Sequence, residues 1–534
     1  LSKAKSFGIM LIVAFGAAAI QIMPTVEFFQ FTQRSVLDIV RASDFSMPPI
    51  AWLLLLFPHY FGHTHRQGDL FWNTFPNEFY VYVGVIFLFA ALLSSYVWKS
   101  REKPFLISIV ILSFFLAVGE VTPVYRILYY FLPGMKFVRV PGRFVLWVDL
   151  GLVLLAAFGV DWIVHQMGKA DRRLSRDTII LSVLGVLTGI SFYLLYPMLR
   201  PFQYPQQIEQ YRLADSLVLS TLFAGLTILL YLQRYRPGIY PWRQVFIVSL
   251  VILDLFIAQW PRHFTTQNIL QTFEHPEIVQ YLSDNRDLHR ISFTDEAFET
   301  EKWGPLSGLL YGFYQHRGLP WNPFNLSSFD NYNEVVGNEG PFYNFLGAKY
   351  LVAVQGENIP EQWQHKLTSD ELDLFENSQV APRAFMVYQS IVEPDRQKAL
   401  TMIEKNQFDP LAVVLLENGE PFSSQIGTYQ VKITSITSNS MTVDLISDQP
   451  GFLVVSDIFY PGWNVLVNGK EQTIQRANYA FRAVFVPSGQ STVSFAFKPT
   501  SIIWGLSVTL ITWSIVLTSC IFYLKKRGQN FSCS

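Results

Sequence analysis

Cysteine is nearly absent: the chain of 534 residues holds two, Cys520 in an apolar segment and Cys533 in the C-terminal tail. A disulfide scaffold or a structural zinc site cannot be built from such a pair. Charge is scarce as well, with 15% of residues charged where soluble domains carry about a quarter. The formal net charge of -1 argues against a large nucleic-acid surface. Beyond Trp260 there is no nucleophile elbow, no glycine-rich phosphate loop and no metal-ligand spacing.

What the chain has in quantity is apolar surface: half of its residues are hydrophobic and 16% are aromatic. A membrane span needs about 20 mostly apolar residues to cross about 30 Å of hydrocarbon. About eight segments meet that need, centred on Phe7–Met23, Tyr80–Trp98, Pro104–Gly119, Phe144–His165, Thr178–Met198, Leu213–Gln233, Gln244–Trp260 and Ile502–Leu524. The third and seventh are short. Ser2–Ile20 alone resembles a signal peptide with Lys3 and Lys5 at its start. Seven later segments make it the first helix of a polytopic protein instead.

Lysine and arginine in short loops mark the cytoplasmic side. They fall before the first segment and after the second, fourth, sixth and eighth (Lys3 and Lys5; Arg101 and Lys103; Lys169 to Arg176; Arg234, Arg236 and Arg243; Lys525 to Arg527). Every second connection is basic, as eight spans with both termini inside require. Residues 24–79, 120–143, 199–212 and about 261–500 then lie outside.

That orientation puts Arg139 and Arg143 on the outer face, against the usual bias. Two readings stay open. In one, the cations simply snorkel to lipid headgroups. In the other, Pro141 opens the fourth span as a first-turn proline. Free backbone N–H groups and the positive dipole end then join the two arginines in a phosphate site.

Other outer polar groups include Glu27, Asp38, Asp44, His59, His63, His65, Asp69 and Glu78. The three histidines of "FPHYFGHTH" lack a carboxylate at helical spacing, so they read as surface or headgroup-facing side chains rather than a metal site. "MPPIAWLLLLFPHYFG" is too short to span and reads as interfacial or re-entrant. Asp149 and Asp254 fall within spans, where ionisable groups are costly and often functional; interfacial hydrogen bonding is the alternative.

Residues 261–424 read as an extracytoplasmic α+β region. "HPEIVQYLSDNRDLHRISF" forms a helix then a strand, "GAKYLVAV" a buried strand, and "EPDRQKALTMIEKNQFDP" a helix. Residues 425–499 alternate in the β manner and read as a β-sandwich. Asn468-Gly469 marks a type I′ hairpin, and Pro487 to Gln490 a second one. Tyr460, Trp463, Tyr479 and Phe481 are candidates for stacking on sugars or, as strand aromatics usually do, for packing. The domain plan is thus 1–260 membrane, 261–424, 425–499, and 500–534 for the last span and tail.

Several of these stretches resemble the YfhO family of bacterial membrane proteins. They are "SMPPIAWLLLLFPHYFG", "NEFYVYVGVIFLFAALL", "VGEVTPVYRILYYFLPGMKFVRVPGRFVLW", "FLGAKYLVAV" and "IFYPGWNVLVNGKEQTIQRANYAFRAVFVPSGQSTVSFAF". The resemblance implies a GT-C glycosyltransferase architecture in the bacterial plasma membrane. It implies transfer of a sugar from a polyprenyl-phosphate carrier to a surface glycopolymer such as teichoic acid. The implied partners are that lipid, the polymer and membrane lipids, and a divalent metal is left open as cofactor. Family members carry their acidic catalytic residues in an outer loop after their first span and extend further upstream. Because this chain opens at Leu1, we expect an N-terminally truncated piece without that loop. Arg139 and Arg143 are then the candidates for the carrier phosphate, and Glu78, Glu120 and Glu27 for an outer carboxylate. The alternatives are a non-catalytic scaffold or polymer-binding protein, and a lipid-linked-sugar transporter, although no internal repeat supports the latter.

Overall fold

The computed structural model describes residues 2–33, 38–60, 81–132, 134–166, 172–195, 206–235, 242–263, 275–299, 303, 307–316 and 325–531. They divide into two units, Val36–Gln267 and a second made of Leu1–Ser35 with Asn268–Ser534.

The first unit is helical. Its main helices are Val85–Val97, Lys103–Ala117, Val145–Asp161, Arg172–Leu195, Gln206–Tyr235 and Trp242–His263. Each coincides with one of the apolar segments, because a chain in hydrocarbon must close its backbone hydrogen bonds within the segment. The segment after Met47 forms only a short 3-10 helix, Pro49–Leu55, whose Ala51 and Leu54 are buried. Small residues set the helix contacts, as expected where lipid offers no hydrophobic drive between helices. Ala90, Ala91 and Ala156 are buried between Val85–Val97 and Val145–Asp161. A Cβ added at Gly159 would lie 1.9 Å from the Ala90 carbonyl oxygen. Gly159→Ala is therefore expected to cost about 1–3 kcal/mol, read as a lower melting temperature in detergent. Melting unchanged from the parent would refute so close a contact.

In the second unit, helices Ser2–Ala17 and Ala19–Phe29 pack against the long helix Thr500–Phe531. The first two are bent by 73° at Ala18. The cause lies on the partner helix. Ile20 N–H donates to Thr509 Oγ1 at 3.0 Å, and Thr509 Oγ1 donates to the Gly16 carbonyl at 3.4 Å. A hydroxyl thus sits between the donor and acceptor that a regular helix would join, a recognised cause of kinking. Gly505 allows the approach: a Cβ there would lie 2.7 Å from the Ala19 carbonyl oxygen.

Among the described residues, four helical stretches are long and apolar enough to cross a membrane: Pro141–Val164, Arg176–Leu195, Arg212–Leu232 and Thr500–Lys525. The bent pair makes five if it is one span. Val85–Val97, Lys103–Ala117 and Val245–Ala258 are apolar but shorter; 13 residues of helix reach only about 20 Å. Length and composition thus support four to five spans of the expected eight.

The rest of the second unit is α+β. Its strands are β1 (Arg290–Phe293), β2 (Ala348–Val354), β3 (Trp363–Ser369), β4 (Leu372–Asn377), β5 (Ala384–Val387), β6 (Gln389–Val392), β7 (Val413–Leu416) and β8 (Phe422–Ser423). There follow β9 (Tyr429–Ile436), β10 (Ser440–Ser447), β11 (Gly451–Ile458), β12 (Trp463–Val467), β13 (Lys470–Gln472), β14 (Gln475–Ala477), β15 (Phe481–Val486) and β16 (Gly489–Phe497). They form three sheets, ordered β1-β2-β4-β3, β13-β12-β16-β10-β9 and β5-β11-β15-β14-β7-β6-β8. The last two face each other across Val443, Leu445, Val465 and Phe495 from one side and Met386, Leu453, Val455 and Val484 from the other. The seven-stranded sheet takes strands from both sides of residue 425.

Asn468 and Gly469, at φ 52° and 78°, turn β12 into β13 as their left-handed preference dictates. The hairpin expected at Pro487 to Gln490 is not formed. Val486 pairs with Gly451, whereas Gly489 pairs with Ser447 in the other sheet. The reason is that β15 is buried on both faces and flanked by β11 and β14. Both of its edges are taken, so the chain must cross to the opposite sheet.

Candidate functional site

Three segments of the helical unit converge around Arg139. Val140 takes φ 63° and Pro141–Phe144 forms a 3-10 turn that leads into Val145–Asp161, so Pro141 opens that helix as expected. Arg139 Nη2 donates to Asp44 Oδ2 at 3.0 Å, with Asp44 41% exposed and Arg139 19%. The Phe45 ring lies 5.6 Å from the guanidinium. Phe45 O accepts from Gly142 N–H at 3.2 Å, and Met47 N–H donates to Ala117 O at 2.8 Å. Glu120 N–H donates to Ser43 Oγ at 3.2 Å, and Tyr125 OH to the Ala42 carbonyl at 3.1 Å. Gly119 makes this junction possible. At φ +70° it favours glycine, and a Cβ there would lie 1.9 Å from Ser46 Oγ.

Of the expected site residues, Arg139 is thus held at the start of a helix by a carboxylate from another segment. Arg143 lies one turn on and is exposed. Glu120 joins the junction through its backbone, with its carbonyl accepting from Arg126 Nε at 2.6 Å. Glu27 belongs to the other unit, where it accepts from Tyr460 OH at 3.2 Å. Glu78 lies outside the described residues. The arrangement pairs a cation with a half-exposed carboxylate at the positive end of a helix, which suits an anionic group whose charge changes during a reaction. No group of three or more His, Cys, Asp or Glu placed to hold a metal occurs among the described residues.

Deeper in the unit sit two satisfied acids. Asp254 is 1% exposed and accepts from the Tyr82 hydroxyl and from Ile86 N–H at 3.4 Å. It meets the first turn of Val85–Val97, where Gly84 leaves room: a Cβ there would lie 2.9 Å from Asp254 Oδ2. Asp215 accepts from His59 N–H at 2.7 Å and lies 2.6 Å from His59 Nδ1, while His59 Nε2 lies 3.1 Å from the Ala258 carbonyl. His59 is 5% exposed, which corrects the expectation of a surface or headgroup-facing side chain. Pro58 breaks the helix, and the turn after it carries the ring inward onto Asp215. His63 and His65 lie outside the described residues. Asp215 itself carried no motif, and only its place near the start of an apolar run could have flagged it.

In the other unit, three arginines surround one acid. Asp457 Oδ1 lies 2.6 Å from Arg290 Nη2 and 3.0 Å from Arg383 Nη2, and Oδ2 lies 3.1 Å from Arg482 Nη2. Burial pushes the Asp457 carboxyl up, but the guanidinium groups of Arg290, Arg383 and Arg482 more than offset this and leave it below the ordinary carboxylate value. Sequence reasoning missed this cluster, because its members are spread from residue 290 to residue 482. The strand aromatics follow the packing reading. Phe481 is 1% exposed and Tyr479 is 8%. Tyr460 packs on Phe28, Phe31 and Phe497. The Trp463 ring lies 4.1 Å from the Arg482 guanidinium.

Residues 417–509 match the family described as bacterial membrane protein YfhO, which bears out the resemblance over that stretch. It spans β8 to β16 and the first turns of the Thr500–Phe531 helix, and so includes Asp457, Trp463 and Arg482. No curated protein and no solved structure is significantly similar to the chain.

Proposed function

We propose, on the premise of that YfhO match, that this protein is a membrane glycosyltransferase of GT-C type. It passes a sugar from a polyprenyl-phosphate carrier to a teichoic-acid-like glycopolymer outside a bacterial plasma membrane. The family match carries the membrane and glycosyltransferase-like part of the reading. In this reading the chain has eight spans and both of its termini are cytoplasmic, a topology supported by the alternation of basic loops in the sequence. Arg139 and Arg143 then stand at the outer start of a span, where the carrier phosphate is presented.

In this reading the positive end of the helix dipole and the arginines stabilise the phosphate as it leaves the sugar. Asp44, in contact with Arg139, is the carboxylate placed to take the acceptor's proton or to hold a divalent metal. The bond from the sugar's anomeric carbon to the carrier phosphate oxygen breaks as a bond to the acceptor oxygen forms. Arg143→Ala, in cells making the full-length protein, is expected to lower sugar transfer at least about 100-fold, the usual cost of one lost oxyanion donor. Its melting temperature should stay that of the parent. Undiminished transfer would remove Arg143 from the phosphate site, and normal surface glycosylation in cells lacking the protein would end the transferase reading.

A further inference from the structure

A cavity of about 530 Å³ opens beside Asp457. Arg290, Arg383 and Arg482 line it, and among the described residues lining it Asp457 is the one acid. Three guanidinium groups therefore face one carboxylate, and the cavity floor carries an excess of about two positive charges at neutral pH. Their remaining hydrogen bonds go to neutral acceptors. Arg290 donates to the Leu346 and Ser456 carbonyls at 2.6 and 3.0 Å and to Ser456 Oγ at 3.1 Å. Arg482 is 3% exposed, and its Nη1 has no hydrogen-bond partner among the described residues. Burial first, then the neighbouring guanidinium groups, hold Arg290 and Arg482 down at about 10 although Asp457 acts against this. That is the signature of cations crowded in a poorly hydrated place.

A structural ion cluster has no need of this surplus. One arginine would balance Asp457, and each further buried cation adds a desolvation cost that an internal acid would ordinarily offset. The surplus faces an opening, and the opening's rim carries the hydroxyls of Thr437, Ser438 and Ser440. Trp463 forms part of the wall.

We propose that this cavity binds a phosphate group, with the three arginines neutralising it and the hydroxyl rim facing whatever hydroxylated chain bears it. Arginine's planar fork matches phosphate oxygens two at a time, and a phosphate's charge matches the surplus. The site is separate from the Arg139 junction and does not depend on sugar transfer. The group can arrive as free phosphate or as the phosphodiester of a polyol chain.

The test is calorimetric titration of the full chain in maltoside micelles, which carry no phosphate of their own. The probes are inorganic phosphate, a glycerophosphodiester and acetate. Saturable binding of a phosphate probe is expected, at least tenfold weaker in Arg383→Met and in Ser438→Glu. Ser438 is exposed on the β9–β10 turn, so Ser438→Glu sets a carboxylate at the rim without disturbing the core. Tighter binding of the diester supports a polymer-borne group, and equal or tighter binding of inorganic phosphate supports the free ion. Absence of phosphate binding, binding undiminished in Ser438→Glu, or acetate bound as well as phosphate would overturn the proposal.

Discussion

Asp457→Asn is expected to destabilise the unit that bears the sheets by about 3–5 kcal/mol, the cost of taking one partner from a buried ion cluster. For a unit of this size that lowers the melting temperature by roughly 10 °C. The effect follows from geometry: all three arginines lean on this carboxylate at 2.6 to 3.1 Å, and asparagine leaves them repelling one another. The cluster also joins β1, β5, β11 and β15, because Arg290, Arg383, Asp457 and Arg482 sit on or beside those strands. The pH dependence has a definite sign. Asp457 is held below its ordinary value of 3.8, so the folded state favours the carboxylate over the acid. Its contribution is present above that ordinary value and fades as pH falls through the depressed one. The gap in melting temperature between parent and Asp457→Asn should therefore be constant from pH 7 to about 5 and close below about 4. A gap that does not narrow at all as pH falls below about 4 would show that lost packing, not lost charge, is responsible.

Asp215→Ala is expected to cost the helical unit a similar about 3–5 kcal/mol. His59 Nε2 faces a carbonyl, which can only accept, so that nitrogen carries a proton. Nδ1 lies 2.6 Å from Asp215 Oδ1. Removing the carboxylate leaves a polar ring and the His59 N–H facing an apolar void. The double replacement His59→Leu with Asp215→Leu should recover much of the loss, since apolar substitutes for a buried pair are often tolerated. Melting of the two single variants and the double variant forms a thermodynamic cycle. Additive losses would mean that the two side chains are not coupled.

Much of the architecture was legible because it is local. Each apolar segment became a helix, the strand at 348–354 and the turn at Asn468-Gly469 formed where expected, and Asp395 caps its helix through Gln397 and Lys398 N–H. What was not legible is what distant residues do together. Pro487 and Gly489 look the same before a hairpin and before a crossover between sheets; burial of β15 on both faces decides, and that depends on β11 and β14. The His59–Asp215 pair joins residues 156 positions apart. Arg139 was placed correctly at a helix start, but no local pattern shows that Asp44 reaches it. The number of spans is hard to read for a different reason: helices such as Val85–Val97 and Lys103–Ala117, of 13 and 15 residues, satisfy an apolar window without the length to cross alone.

The hydroxyl that breaks the first helix has a consequence in time. Thr509 lies 489 positions beyond Ile20 in the chain, so at synthesis the two helices of Ser2–Phe29 precede their kinking residue by that whole interval. Until Thr509 arrives, Ile20 N–H and Gly16 O have only each other, and the segment is free to be one straight rod. The final shape of an earlier segment is thus imposed by a later one, and the bend records their meeting.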